Sequence, residues 1–386
     1  MPRRLFPQAS RTRRRRRAGR SAARLTSRRA SARYLLHAGQ LRDSLALTAP
    51  PSPRTAVIAG MQAAVAVLLA LATTHLSPWP HLVGFPALGA LAALFGRYAT
   101  LHRRRRIVLV CGTLLTVCVL LPSLASLAGA TPEQLILVLA IMAGAVSLAV
   151  SRWALGGPGA VIFVFAIGAV LAPAGSWQEV GARTLGAAWG ALLAWTVCAL
   201  TDRLRPGGAD GAPPTAAAPL AYELAAAGRI TIGAGAAAFV AHAAGWNYPA
   251  WAAIGAVAVM QGGHLHITMN RALQRMAGTV VGACIVWAIL AQQPSFWAVV
   301  LAIVVFQFVT EVIIGFNYAL GQITVTPMAL LMTHLASPVA HADMPVERVL
   351  DTMVGAALGI ALALVFSSLD ERRQLARWRR RRARRR

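Results

Sequence analysis

The sequence predicts an all-α polytopic membrane protein with about 12 transmembrane helices, arranged as two parallel six-helix repeats. Three features predict this class: the composition, the length of the apolar runs, and two segments that recur at a nearly constant spacing. Of the 386 residues, 57% are hydrophobic and only 13% are charged. The mean hydropathy of +0.59 is too high for an ordinary soluble domain. A helix of roughly 20 apolar residues crosses a bilayer core about 30 Å thick, so runs near that length indicate spans.

Twelve runs reach or approach this length, six on each side of a segment rich in Pro, Gly and Ala. The fifth and eighth runs are short and rich in glycine. We predict spans at 55–76, 82–100, 107–128, 133–151, 158–173 and 179–200 in the first group, and at 224–244, 249–263, 274–291, 295–315, 317–336 and 347–367 in the second.

Five segments follow from these spans and from the positions of the arginines. Both ends of the chain are rich in Arg, and the segment between the two groups has the composition of a flexible linker. We assign 1–53 to an Arg-rich cytoplasmic arm, 54–200 to the first six-helix membrane repeat, 201–222 to a cytoplasmic linker, 223–368 to the second six-helix membrane repeat and 369–386 to an Arg-rich cytoplasmic tail.

Two sequence matches at nearly the same spacing indicate an internal repeat. The segment that begins Arg183-Thr-Leu-Gly lies 165 positions before the segment that begins Arg348-Val-Leu-Asp. Gly112-Thr-Leu-Leu lies 166 positions before Gly278-Thr-Val-Val. Independent matches at nearly one offset predict a duplication. Because six spans return the chain to its starting side, both halves should have the same orientation in the membrane.

The distribution of positive charge predicts the orientation of the chain. All 38 basic residues are Arg, and the formal net charge is +26. With the N-terminus in the cytoplasm, 36 of them fall in the terminal segments, the linker and the cytoplasmic loops, and only Arg183 and Arg348 do not. Because cytoplasmic loops carry an excess of Lys and Arg, we predict a multi-pass protein of the bacterial inner (plasma) membrane with both termini in the cytoplasm.

The Arg-rich tails predict an interaction with anionic membrane lipids. Each arginine near an anionic leaflet contributes about 1 kcal/mol to such binding. The Arg runs lack interleaved aromatic residues and any recognisable nucleic-acid-binding module, so no specific nucleic acid is expected as a partner. A homo-oligomer stays an open alternative.

No motif for enzymatic or metal chemistry stands out in the sequence. We find no phosphate-binding Gly-Lys-Ser/Thr loop, paired carboxylates, nucleophile elbow or zinc motif. The four cysteines lie in apolar runs without metal-site spacing, which is typical of small packing residues. We therefore expect no enzyme activity, no metal and no cofactor.

Glu311 is a candidate coupling residue because it lies inside the tenth predicted span. A charged acid within a span costs about 2.5–3.5 kcal/mol on insertion scales, so it must face protein or water, pair with Arg, or be protonated. Two interpretations stay open: a proton-linked or substrate-linked carboxylate, or a buried partner for Arg271 or Arg275. Asp351, three residues after Arg348, is expected to have a structural role along that helix face.

The eleventh predicted span contains a proline. Pro327 follows Thr324 and Thr326, and proline removes a helix hydrogen bond and clashes with the preceding turn. A broken helix beside Asn317 would present free backbone groups and these polar side chains to a substrate. A plain kink is the alternative.

Several motifs of the second half occur together in one known family. They include the run from Asn247 to Gln261, which begins Asn-Tyr-Pro-Ala-Trp, and the run from Asn270 to Gly282, which contains Arg-x-x-x-Arg-x-x-Gly-Thr. Asn317-Tyr-Ala-Leu, Thr326-Pro-Met-Ala-Leu and Arg348-Val-Leu-Asp-Thr-Met-Val-Gly fit the same pattern. In this combination the chain resembles the fusaric acid resistance (FUSC) family, well across 225–367 and more faintly across 55–200.

The resemblance implies an inner-membrane efflux transporter for aromatic carboxylic acids or related organic anions and toxic compounds. Such a transporter is expected to be driven by the proton-motive force and to hold its substrate between the two halves. Arg271 and Arg275 would attract a small organic anion, Glu311 would couple to protons, and Tyr248 and Trp251 would stack on an aromatic substrate. Two alternatives stay open. One is a passive organic-anion channel, since plant aluminium-activated malate channels are distantly similar, and the other is a membrane scaffold that acts through its Arg-rich tails.

Overall fold

The computed structural model describes residues 52–205, 218–261, 265–336 and 343–367, together with Leu375. The Arg-rich arm, most of the linker and nearly all of the Arg-rich tail lie outside these ranges, so the lipid contacts predicted for the tails stay predictions. Every regular element within the ranges is helical, which confirms the all-α class for them. Their twelve α-helices are α1 (Pro53–His75), α2 (Gly84–Ala90), α3 (Leu101–Leu127), α4 (Pro132–Arg152), α5 (Ala160–Gly168), α6 (Trp177–Thr201), α7 (Leu220–Ala243), α8 (Pro249–Met260), α9 (Leu265–Leu290), α10 (Phe296–Ile313), α11 (Tyr318–Ala336) and α12 (Met344–Val365).

Nine helices of the described ranges are long and apolar enough to cross a membrane, judged by length and composition. The other three are short: α2 has 7 residues, α5 has 9 and α8 has 12. At about 1.5 Å of rise per residue, α8 is about 18 Å long, well below the bilayer core of about 30 Å. The total of about twelve crossings therefore stays a prediction.

The helix in the second predicted span, 82–100, is shorter than expected. α2 continues through a 3₁₀ turn at Leu91–Leu94 and then ends. Gly96 turns the chain with a φ of 70°, a left-handed conformation that glycine adopts without a steric penalty. The residues that follow, to Thr100, form a loop that leads directly into α3.

Contacts between loops bring several helix ends together. Arg105 Nη2 donates a hydrogen bond to the Ala199 carbonyl at 3.0 Å, which joins the start of α3 to the end of α6. Arg97, just before α3, forms an ion pair with Glu311 near the end of α10. We call this the arginine-rich end of the bundle, after Arg97, Arg103, Arg104, Arg105 and Arg205.

A different set of helix ends meets on the other side of the bundle. His75 stacks on Phe296 with ring centroids 3.6 Å apart, which joins the end of α1 to the start of α10. Glu347 accepts a hydrogen bond from the Asn247 side chain at 2.5 Å, which joins the start of α12 to the loop between α7 and α8. We call this the opposite end. The two sets of contacts indicate that the helices run alternately up and down between the two ends.

Helix pairs in the first six correspond to helix pairs in the last six. α2 packs on α6 as α8 packs on α12, and α3 packs on α6 as α9 packs on α12. The two sets of six meet chiefly where α1 packs on α10 and where α4 packs on α7.

Two close helix contacts repeat with the spacing of the sequence matches. A Cβ on Gly190 would overlap the Pro86 carbonyl oxygen, and a Cβ on Gly355 would overlap the Ala252 carbonyl oxygen. The two glycines are 165 positions apart and the two carbonyls 166. Small residues thus let α6 approach α2, and α12 approach α8, in the same way.

The outward faces of the long helices are apolar. Leu185, Leu200 and Leu301 expose 71%, 75% and 64% of their surfaces. In helices surrounded by lipid, large apolar side chains face outward while small residues form the helix contacts. This surface fits a bundle that is solvated by lipid along its length.

Candidate functional site

A cavity of about 1290 Å³ lies between the first six and the last six helices. Its walls come from the loop before α3 and from parts of α5, α8, α9 and α11. The space exists because α2, α5 and α8 are too short to fill the bundle as far as the arginine-rich end. Exposed residues at its rim, among them Arg103 and Gly156, open the cavity at that end. A side pocket of about 360 Å³ shares Gln261 and Arg271 with it.

The cavity lining carries an excess of positive charge. Five arginines stand against two glutamates, and one of these, Glu311, is already paired with Arg97. Apolar side chains such as Phe165 and Met328 form other parts of the wall. A lining of this kind is complementary to an anion with an apolar body. Its charged residues are Arg97, Arg103, Arg271, Arg275, Arg348, Glu223 and Glu311.

Arg275 is buried in the cavity wall, with 2% of its surface exposed. It is the eleventh residue of α9, so it lies about 15 Å along the helix from its start. Its Nη1 donates hydrogen bonds to the Tyr318 hydroxyl and to Gln322 Oε1, both at 3.2 Å. Its Nε has no hydrogen-bond partner in the described part of the chain. The three side chains form a polar cluster between α9 and α11.

Arg348, near the start of α12, is equally buried and has fewer partners. Its Nε and Nη1 are without hydrogen bonds among the described residues. Its guanidinium lies 5.2 Å from the centroid of the Trp251 ring, a cation–π contact. The charge of Arg275 is close enough to repel it. Asp351, on the same helix, acts on it with the opposite sign but forms no hydrogen bond with it. Because buried charges that lack hydrogen-bonded counter-ions are unfavourable, an anion bound between these two arginines would stabilise both.

Nearer the arginine-rich end, an ion pair joins the two sets of helices. Arg97, in the loop before α3, pairs with Glu311, and the Arg205 side chain donates a hydrogen bond to the Arg97 carbonyl. Burial lowers the pKa of Arg205 from its ordinary value, and the positive charge of Arg104 lowers that pKa further. The guanidinium of Arg271 lies 5.9 Å from the Tyr318 ring centroid.

Arg104 belongs to a separate buried network behind the cavity wall. It is fully buried, and its Nη1 donates to Gln62 Oε1 at 2.5 Å and to Asp202 Oδ1 at 2.6 Å. These bonds join α3 to α1 and to the end of α6. Since Arg104 has its counter-ion inside the protein, its evident role is structural.

Three of the predicted site residues line the cavity: Arg271, Arg275 and Glu311. Of the two interpretations of Glu311, the one that makes it a buried partner for Arg271 or Arg275 does not hold, because its carboxylate pairs with Arg97. The two residues of this pair are 214 positions apart and belong to different halves of the chain. Nothing in the local sequence around either residue indicates their contact. The roles of the three residues in transport stay predictions.

Tyr248 and Trp251 do not line the cavity. Their rings stack on each other with centroids 4.2 Å apart, and Trp251 also carries the guanidinium of Arg348. The expectation that both rings stack on an aromatic substrate does not fit this placement. Trp251 instead positions an arginine that does line the cavity.

Of the two alternatives for the eleventh span, the structure does not have the broken helix, because α11 runs continuously through Pro327. Thr326 donates a hydrogen bond to the Gln322 carbonyl at 2.8 Å, and Thr324 donates to a carbonyl one turn back. Asn317 Oδ1 accepts from the Ala319 amide at 2.7 Å at the start of the helix. Thr324 also accepts a hydrogen bond from Thr310 of α10 at 2.6 Å, and Asn317 accepts one from Gln274 of α9 at 3.5 Å. None of these four predicted residues lines the cavity, whereas their neighbours Tyr318 and Gln322 do.

Three arginines of the site, Arg97, Arg103 and Arg348, were not among the predicted site residues. The sequence does set Arg348 apart, because it is one of only two arginines outside the predicted cytoplasmic segments. Asp351, expected to interact with Arg348, is fully buried and neither of its oxygens has a hydrogen-bond partner within the described ranges. In those same ranges no group of three or more His, Cys, Asp or Glu side chains is placed to hold a metal ion.

Comparison with known proteins supports the resemblance to the FUSC family. Residues 236–362 match the family model of fusaric acid resistance protein-like proteins, so the resemblance is confirmed for that region. The uncharacterized membrane protein YvaC of Bacillus subtilis (strain 168) is 35% identical over 111 residues, which are 28% of this chain and 18% of that protein. This chain therefore aligns with less than a fifth of that relative's length. No solved structure matches the chain significantly. Together with the long apolar helices, these matches identify a multi-pass membrane protein.

Proposed function

We propose, from the FUSC-like region at 236–362 and from the arginine-lined cavity, that this protein is an inner-membrane efflux transporter for aromatic carboxylic acids or related organic anions. The observation that carries the proposal is the pair of buried arginines in the cavity wall. Arg275 and Arg348 are each 2% exposed, and both present nitrogen atoms without hydrogen-bond partners among the described residues. A carboxylate is the natural counter-ion for such a pair, because guanidinium groups bind carboxylates through short, charge-assisted hydrogen bonds.

The rest of the cavity suits the body of an organic acid. Apolar side chains, among them Phe165, Ile254 and Met328, line the wall together with the arginines. The volume of about 1290 Å³ exceeds that of ordinary small-ligand sites, which is about 300–1,000 Å³. We infer that several sizes of aromatic or apolar acid are accepted, with the carboxylate as their common feature.

We infer two parallel six-helix repeats, with both termini and the arginine-rich end in the cytoplasm. The corresponding packing of α2 on α6 and of α8 on α12 supports the repeat, and so do the matched contacts of Gly190 and Gly355. The excess of arginine at one end supports the orientation. In that orientation the cavity opens to the cytoplasm, as loading of an exported substrate requires.

The membrane potential is the driving force that this charge arrangement favours. An anion that leaves a cell with a negative interior gains about 2.3 kcal/mol per elementary charge for each 100 mV. The potential is one part of the proton-motive force. The ion pair between Arg97 and Glu311 joins the two sets of helices beside the cavity, so a change to an outward-open state would have to loosen it.

The experiment is uptake and efflux of radiolabelled benzoate in proteoliposomes that contain the purified full chain. We expect Arg275→Gln to lower the potential-driven rate at least about tenfold, since the loss of one charge-assisted hydrogen bond costs about 1.5–3 kcal/mol. The matched control is Arg105→Gln, because Arg105 bonds to the exposed Ala199 carbonyl and does not line the cavity. Equal rates for the wild type, Arg275→Gln and protein-free vesicles would contradict the proposal.

The same purified protein distinguishes a transporter from a passive channel. Arg348 is one of the residues that line the cavity, and its guanidinium stacks over the Trp251 ring. This arrangement favours a binding site that is reached from one side at a time. Single-channel currents of benzoate in a planar bilayer would replace the transporter with an anion channel.

A further inference from the structure

Asp351 is a buried acid with no hydrogen-bonded partner among the described residues. It is fully buried in α12, and neither carboxylate oxygen has a hydrogen bond or an ion pair within the described ranges. Other buried acids differ in this respect, since Asp202 pairs with Arg104 and Glu311 pairs with Arg97. A buried carboxylate with neither a counter-ion nor a hydrogen bond is strongly disfavoured relative to the neutral acid.

Asp351 lies one helical turn behind the anion site. It follows Arg348 by three residues on α12, a spacing that puts the two side chains on the same helix face. Arg348 lines the cavity, whereas Asp351 does not. A charge on Asp351 therefore acts on a bound anion through its effect on Arg348.

Few other charged groups surround Asp351. From α12 itself, Arg348 and Glu347 act on it electrostatically. The neighbouring α9 contributes Arg275, and α11 contributes Tyr318, both of which act on Arg348. α8 contains no titratable residue, and α7 carries its own, namely Tyr222, Glu223, Arg229 and His242, in its first ten residues and its last turn.

Two further polar groups near this level also lack partners. The Thr352 hydroxyl on α12 and the Thr279 hydroxyl on α9 are buried without hydrogen bonds in the described part of the chain. Met276 of α9 and Ala356 of α12 belong to one apolar cluster, and one turn along each helix from that contact lie Thr279 and Thr352. Besides Asp351, α9 and α12 thus hold two buried hydroxyl groups that lack hydrogen bonds among the described residues.

We propose that Asp351 is a proton-binding site that sets the affinity of Arg275 and Arg348 for an organic anion. With a proton from water on Asp351, the charges of the two arginines are uncompensated and attract the anion. When the proton returns to water, the carboxylate supplies a competing negative charge one turn from Arg348. Proton and anion thus bind cooperatively. This inference rests on the proposed function, because it needs an anion site at these arginines.

The affinity for the anion should decrease as the pH rises. It is high when Asp351 is protonated and falls as the pH rises through the titration of Asp351. Asp351→Asn mimics the neutral acid at every pH, so its affinity stays high and independent of pH. Asp351→Glu keeps a titratable group, so it retains a pH-dependent affinity.

The test is binding of radiolabelled benzoate to the purified full chain in lipid nanodiscs across a series of pH values. We expect the dissociation constant of the wild type to rise about tenfold or more from acidic to alkaline pH, and that of Asp351→Asn to stay constant. Glu179→Gln is the matched control, because Glu179 is bonded to Arg183 in the other half and should leave the pH profile unchanged. A profile in Asp351→Asn equal to that of the wild type overturns the inference.

A second measurement needs no ligand and separates this inference from the proposed function. The infrared spectrum of the wild type should contain the carbonyl band of a protonated buried carboxyl group, and that band should be missing in Asp351→Asn but present in Glu179→Gln. An unchanged band in Asp351→Asn overturns the proton site. If the band behaves as expected but benzoate does not bind the wild type at any pH, the proposed anion site is overturned instead.

Discussion

Arg183 and Arg348 occupy matching positions in the two halves, yet their surroundings differ. Each is near the start of the last helix of its half, and each guanidinium lies over an aromatic ring, Phe85 at 5.6 Å and Trp251 at 5.2 Å. The two rings are themselves 166 positions apart. Both arginines therefore pack against an aromatic ring at a matching position.

Their hydrogen bonds are not the same. Arg183 donates to the Ala172 carbonyl at 2.9 Å and to the Pro173 carbonyl at 2.8 Å, and it pairs with Glu179. Arg348 has no such partners in the described ranges and lines the cavity. The arginine of the first half thus holds a loop, whereas the arginine of the second half faces the cavity.

The largest expected effect is on transport and separates the two arginines. Arg348→Gln should lower the benzoate transport rate about a hundredfold, because two charge-assisted hydrogen bonds of about 1.5 kcal/mol each are lost. Arg183→Gln should leave the rate per folded molecule unchanged and lower the thermal stability by about 1.5–3 kcal/mol, since two partly buried hydrogen bonds from the guanidinium are lost. Proteoliposome transport and thermal unfolding in detergent measure the two effects. Equal losses of transport in both variants would show that the halves are not divided in this way.

The next effect concerns the glycine contacts and should be alike in both halves. Gly190→Ala and Gly355→Ala each drive a methyl group into a backbone carbonyl, of Pro86 and of Ala252 respectively. Overpacking of this kind costs about 1–3 kcal/mol, so both variants should unfold at a lower temperature.

The control for the glycine pair lies on the same helix as one of its members. Gly181, in α6, has open space where a Cβ would be, and Gly181→Ala should be neutral or stabilise the helix by up to about 1 kcal/mol. If Gly190→Ala were tolerated as well as Gly181→Ala, the close contact of α6 with α2 would not hold the first half together.

The smallest effect is expected for Glu179→Gln. Its side chain is 39% exposed and follows the spacing of an ordinary helix pair, so the loss should be only about 0.5 kcal/mol. Arg183 keeps both of its carbonyl acceptors. Thermal unfolding should therefore shift slightly while transport stays at the wild-type rate. A loss as large as that of Arg183→Gln would mean that the carboxylate, and not the carbonyls, holds Arg183 in place.

The sequence predicted most of the long helices well, but it predicted the polar starts of α3 and α9 poorly. α1 and α7 begin and end within four residues of the predicted spans. α9, however, begins at Leu265, nine residues before the predicted span at 274–291. A hydropathy criterion excludes the polar residues Asn270 and Arg271 from a membrane span, although the backbone at both positions is helical. The missed start of α9 brings Arg271 to the cavity, whereas Arg275 lies inside the predicted span.

The candidate site was predicted only in part, for a different reason. Glu311 could be selected because charge inside an apolar run is conspicuous, and Arg271 and Arg275 because they stand in the Arg-x-x-x-Arg motif. The ion pair of Arg97 with Glu311 depends on how the two halves meet, which no local pattern specifies. The isolation of Asp351 is likewise a property of the packed bundle, since the sequence places an arginine one turn away and suggests a pair.

In the proposed orientation, the depth of the cavity also bears on where the membrane voltage acts. A water-filled cavity would bring the potential of the cytoplasm close to Arg275 and Arg348. Most of the voltage would then fall between these arginines and the opposite end. An anion that leaves the two arginines toward the opposite end would then cross nearly the full voltage in a single short step, which is worth about 2.3 kcal/mol per elementary charge for each 100 mV.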